Sequence, residues 1–111
     1  SVWDYNGATM IEKKTILDQI EITRDGTIQV RLAILVLEDE EEISSAWHRT
    51  SIPPGADPVA QMAGVNEHLK LMNKAPVADF SLLKNIVSVV HTKEVIFAYA
   101  KRQAEITKLV Q

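Results

Sequence analysis

The stretch Thr27–Leu37 (TIQVRLAILVL) is the most apolar run in the chain, and it restricts the fold more than any other segment. It contains no Gly or Pro and carries β-branched residues at Thr27, Ile28, Val30, Ile34 and Val36. Such residues pack well on a pleated surface and lose rotamer freedom in a helix, so the run predicts a central β-strand. Ile28, Val30, Leu32, Ile34 and Val36 recur with period two and share one buried face. The other face begins polar at Gln29 and Arg31 and turns apolar at Ala33, Leu35 and Leu37, so burial there is expected only toward the end.

The segment before it, Thr15–Thr23, also alternates, with Ile16, Ile20 and Ile22 on one side and Asp18 interrupting that side. Asp18 is expected near an open edge or strand end. Arg24-Asp25-Gly26 joins the two strands as a three-residue hairpin loop, with Asp favouring the turn and Gly supplying positive φ. Pairing Thr23 with Thr27 sets Ile22 opposite Ile28, Ile20 opposite Val30 and Ile16 opposite Ile34. A slip of one residue would destroy that match. Glu38–Glu42 (EDEEE) then forms the next reversal. Clustered carboxylates suit calcium, but the alternating ligands and central Gly of a calcium loop are missing, so a solvated hairpin tip is the expectation. A third strand spans Ile43–Ile52 with weaker alternation and no register legible from the residues; Pro53-Pro54-Gly55 ends it.

After Gly55 the period changes. Asp57-Pro58 is a helix start, and Val59, Met62, Val65, Leu69 and Met72 form one apolar stripe. A second helix is expected over about 79–90, with Phe80, Leu83, Ile86, Val87 and Val90 inward. Thr92 caps a third, from Lys93 to about Val110, whose stripe is Val95, Tyr99, Ile106 and Leu109, interrupted by Arg102. The order βββααα predicts an α+β fold: a three-stranded antiparallel meander followed by three α-helices packed on one face.

At 111 residues, 46% apolar and 24% charged, the composition is that of one ordinary globular domain, here residues 10–111. A net charge of −3 offers no broad basic field, so no nucleic-acid partner is expected and a small DNA-binding regulator is disfavoured. The absence of cysteine excludes disulfides and thiolate metal sites. No apolar run approaches the ~20 residues of a membrane helix, so no membrane association is expected.

Ser1–Thr9 (SVWDYNGAT) differs in character from the rest of the chain: it reads as an N-terminal arm without the basic start and apolar stretch of a signal peptide. Three origins stay open: a residual expression tag, the tail of a longer polypeptide, or the start of a processed protein. In the second case Met10 is a candidate internal start, giving a short free copy beside the long chain. Mass spectrometry of the native product decides this, and a single species beginning at Met10 removes that case.

Catalytic and metal signatures are missing. His48, His68 and His91 fall on different elements without metal-ligand spacing, and His68 and His91 suit the negative poles of helix ends. No serine sits in a Gly-x-Ser-x-Gly elbow, and the isolated glycines make no phosphate-cradling loop. No enzyme activity, cofactor or metal is expected. Trp47-His48-Arg49-Thr50 is the one polar-aromatic cluster. Its simplest placement has Trp47 capping the core and Arg49 solvating an edge. The functional alternative is a stacking patch of Trp47, His48 and Arg49 for sugar, peptide or nucleic acid. The edges of a three-stranded sheet are pairing templates, and the third helix is long and ends polar without an evident partner. Association is therefore expected, with Tyr99, Ile106 and Leu109 of that helix, and Trp3 and Tyr5 of the arm, as candidate interface residues.

In LDQIEITRDGTIQVR (Leu17–Arg31), WHRTSIPPGAD (Trp47–Asp57), VNEHL (Val65–Leu69) and VHTKEVIFAY (Val90–Tyr99), the chain resembles a group of small uncharacterised tailed-phage proteins encoded near tail or tail-fibre genes. The resemblance covers roughly Lys13–Tyr99, leaves Ser1–Thr9 outside, and carries no catalytic motif. It implies bacteriophage virion or tail-assembly work: a C-terminal domain of a tail fibre or spike, or a chaperone that helps the fibre trimerise. The implied partners are copies of itself, as in a trimer, or the fibre protein, and the implied location is the virion or the host cytoplasm during assembly. Host-receptor recognition through Trp47 is the alternative.

Overall fold

The computed structural model describes residues 10–110. Three strands, β1 (Ile11–Ile22), β2 (Ile28–Glu38) and β3 (Glu41–Ile52), precede three helices, α1 (Pro58–Leu71), α2 (Ser81–Val90) and α3 (Lys93–Leu109). The sheet is an antiparallel meander in the order β1-β2-β3, so the fold is α+β with the apolar run as its middle strand. The expected Arg24-Asp25-Gly26 loop joins β1 to β2: Thr23 N–H donates to Thr27 O at 2.9 Å, and Gly26 takes φ +91°. Asp25 Oδ1 accepts from the Thr23 hydroxyl (2.6 Å) and from Thr27 N–H (3.0 Å). These bonds, the Thr23 hydroxyl first, hold the Asp25 carboxyl below its usual pKa.

The register begins as the apolar pattern dictates, with Ile22 opposite Ile28 and Ile20 opposite Val30. It then departs from it. A β-bulge between Leu17 and Gln19 sets Leu17 opposite Leu32 and Thr15, not Ile16, opposite Ile34. Asp18 is the extra residue, and beyond it the odd-numbered side chains turn inward. Ile16 is thereby moved to the opposite face, while Thr15 is buried and donates its hydroxyl to Ala75 O at 2.6 Å. The β2–β3 reversal is tighter than the acidic run suggests. Only Asp39 and Glu40 form the turn, both with positive φ, and Glu41 and Glu42 already belong to β3.

The core lies on the face of Ile28, Val30, Leu32 and Ile34, closed by Ile52, by Met62, Val65 and Leu69 of α1, and by Leu83 and Val87 of α2. Asp57 caps α1 by accepting from Val59 N–H at 2.9 Å, with Pro58 at the first helical position. The outer ends of the expected α1 stripe, Val59 and Met72, are exposed. Between the helices, Ala75–Val77 runs along β1, with a parallel bridge between Thr15 and Val77. Asn66 fixes this strap: its Oδ1 accepts from Val77 N–H (2.8 Å) and its Nδ2 donates to Val77 O (3.3 Å). Asn66→Ala leaves both backbone groups of a buried residue without partners and is expected to cost about 2 kcal/mol in urea unfolding.

α1 and α2 supply the helical share of the core. α3 has the expected bounds and cap, Thr92 Oγ1 accepting from Val95 N–H at 3.2 Å, yet it buries no residue. Val95 and Tyr99 are half-buried, whereas Phe97 is 71% and Leu109 84% exposed. The radius of gyration is 18.2 Å and the extents are 65 × 29 × 19 Å, against about 13 Å for a compact chain of this length. The helices cover only part of the sheet, and the acidic hairpin end stands out from the core. Among the described residues no helix is long and apolar enough to cross a membrane.

Candidate binding surface

No residue on the sheet face opposite the helices belongs to the core cluster. Strand alternation places Gln29, Arg31, Ala33, Leu35 and Leu37 of β2 on this open face, flanked by Ser51, Arg49, Trp47 and Ser45 of β3. Trp47 stands opposite Ala33. It does not cap the core: it is 53% exposed, while the alanine across from it is only 2% exposed. The Arg31 guanidinium lies 4.5 Å from the Trp47 ring centroid. Asp18 holds that guanidinium from the other side, with Oδ2 2.7 Å from Nε and 2.6 Å from Nη2. The β1 bulge thus supplies the carboxylate that orients the arginine stacked on the tryptophan.

Arg49 sits directly opposite Arg31. Like charges facing each other across strands are destabilising. Among the described residues only Arg31 of the two has a carboxylate within ion-pair distance. The patch thus combines an exposed ring, one anchored guanidinium and one guanidinium with no ion pair among the described residues.

His48 is not part of it. It pairs with Leu32 on the helix side and stacks against His68 of α1, ring centroids 5.5 Å apart and tilted 38°. Nearby, Gln61 Nε2 donates to Thr50 Oγ1 at 2.7 Å. The structure thus separates Trp47 and Arg49 from His48, as period two requires. It brings together two histidines that are distant in sequence, but no group of three or more metal-ligating side chains exists among the described residues.

The third histidine joins α3 to the first hairpin. His91 Nε2–H donates to Gly26 O at 2.7 Å, and His91 Nδ1 is buried with no hydrogen-bond partner among the described residues. Beyond this hinge a cleft of 690 Å³ separates Thr23, Asp25 and Gln29 from Arg102, Gln103 and Ile106 of α3. Of the candidate interface residues, Tyr99 is half-buried, Ile106 borders this cleft, and Leu109 is exposed. Trp3 and Tyr5 lie outside the described residues.

Two residues of the patch escape sequence reasoning, Arg31 and Asp18. A charged residue, Asp18, at an apolar position of its strand was the available signal. It gains meaning only once the bulge sets the register. Trp47→Ala removes an exposed ring and its contact with Arg31, a loss of about 1 kcal/mol or less. The circular dichroism spectrum and cooperative unfolding should therefore be retained. Compared with protein-family models, curated proteins and solved structures, the chain matches none.

Proposed function

We propose that this chain is a non-enzymatic assembly module of a phage tail, a C-terminal domain of a tail fibre or spike or a chaperone for its trimerisation. The observation that carries the association reading is α3: seventeen residues with Ile96, Phe97, Ile106 and Leu109 exposed and none buried. A helix this short gains little stability from its own hydrogen bonds in water and normally owes it to packing of an apolar face. Ile106 and Leu109 lie on one stripe and Ile96 and Phe97 on other sides of the helix; none of the four belongs to the core among the described residues, which suits a partner protein. The tail assignment rests on the resemblance over residues 13–99. Co-expression with the neighbouring fibre protein tests it. The chain should co-purify with the fibre and raise the yield of trimer, and Phe97→Asp with Leu109→Asp should abolish both while the sheet core still unfolds cooperatively. A fibre that trimerises equally well without the chain, and does not retain it, contradicts the proposal.

A second reading, recognition of a host glycan or protein, has one observation in its favour: the exposed Trp47 ring flanked by Arg31 and Arg49. Glycan-array binding lost in Trp47→Ala would support it.

A further inference from the structure

The open sheet face carries an ordered sequence of chemistries. From the β1–β2 turn toward the β2–β3 tip, β2 presents Arg31, then Ala33, Leu35 and Leu37, then the Asp39–Glu40 turn. β3 repeats the order with Arg49, Trp47, Ser45 and Glu42. Base lies at one end, apolar surface in the middle and acid at the other end. The five carboxylates of 38–42 make no ion pair among the described residues, and neither does Arg49. Both ends therefore hold charge that no ion pair compensates among the described residues.

A contact between identical surfaces across a two-fold axis must be self-complementary. This strip meets that condition in one orientation. Leu35 lies four residues from Arg31 and four from Asp39. An axis between two stacked sheets, perpendicular to the strands at the level of Leu35, sets each strand antiparallel over its own copy. Leu35 then meets Leu35, Leu37 comes to the level of Ala33, itself only 2% exposed, and Arg31 and Arg49 meet the acidic tip. Trp47 falls over Glu42 of the second copy; on β1, Lys14, level with Leu35, falls over Lys14 and Glu12 over Ile16, so the charge attraction lies on β2 and β3. Stacking the strands in the same direction would instead set arginine over arginine and tip over tip.

We propose that the open face is the interface of a two-fold dimer of this chain, its sheets stacked antiparallel so that Arg31 and Arg49 of one copy engage the acidic β2–β3 tip of the other. This deepens the association reading and rests on it, but it uses the sheet face and leaves α3 free for the fibre protein. Stacked sheets sit about 10 Å apart, a gap filled by the two side-chain layers. Three strands over this length bury on the order of 1,000 Å² across both copies, the low end for a specific contact. Association is therefore concentration-dependent, and with ion pairs at both ends it weakens as salt rises.

Sedimentation equilibrium of the full chain, at rising concentration and at low and high salt, tests this. A monomer–dimer equilibrium weakened by salt is expected. Arg49→Glu alone and Glu40→Lys alone should each weaken it about tenfold, because every substitution acts twice across the axis. The chain carrying both should recover most of the loss, since the swapped charges again face each other. A monomer at all concentrations overturns the pairing. So does a dimer indifferent to either substitution, or a double variant weaker than both single ones. A saccharide that binds the monomer through Trp47 and blocks association would show that another ligand owns the face. Fibre co-purification separates the two proposals: a monomeric chain that still binds the fibre sinks only the dimer, and loss of both sinks the association reading as well.

Discussion

Replacing Leu32 with Ala is expected to cost about 3–5 kcal/mol, among the largest effects of a single substitution in this molecule. Leu32 is fully buried at the middle of β2, between Leu17 and His48 on the flanking strands, and it belongs to the cluster closed by α1 and α2. The substitution removes the transfer free energy of the lost carbons and leaves a cavity. Sheet on one side and helices on the other oppose its collapse. A domain of this size is stable by only about 5–15 kcal/mol, so the variant forfeits a large share of its stability. The midpoint of urea unfolding should fall with the slope unchanged. Leu35→Ala on the open face of the same strand should cost far less in the isolated chain, because Leu35 is only half-buried.

Gly26→Ala should cost about 2–4 kcal/mol, through strain and overlap rather than lost contacts. The φ of +91° lies where only glycine is at ease, and an added Cβ would stand 2.6 Å from Val95 Cγ1. Val95 opens α3, and the Gly26 carbonyl accepts from His91 just before it, so relief of the overlap pushes α3 off the hairpin. A double-mutant cycle isolates this effect. Val95→Ala should restore part of the stability lost in Gly26→Ala, leaving the backbone strain behind. If the two losses simply add, the overlap carries no weight.

Most of the fold could be read from residues because local signals agreed with one another. The β-branched run, the Asp-Gly turn and the Asp57-Pro58 start each named an element, and period two placed the core face of β2. The register beyond Asp18 was hidden because a bulge is set by which pairing buries more, not by the strand's own pattern. Ile16 is a better apolar residue than Thr15, yet Thr15 goes inward, where its hydroxyl meets Ala75 O. That bond to a loop sixty residues away has no local signature. The β3 register was unreadable for a related reason: its open face carries Trp47 and its helix-side face carries His48 and Thr50, so hydropathy alternates weakly. The apolar stripe of α3 was legible, but not what it faces, because amphipathicity gives the need for a partner and not its identity.

Native-state amide hydrogen exchange of the isolated chain, at a concentration too low for self-association, tests most directly that the core is complete without α3. β2, α1 and α2 are expected to exchange only through global unfolding, while α3 from Lys101 onward exchanges orders of magnitude faster and becomes protected when the fibre protein is added. Protection of α3 equal to that of β2 in the isolated chain would show that the helix is already packed, and would contradict a core complete without it.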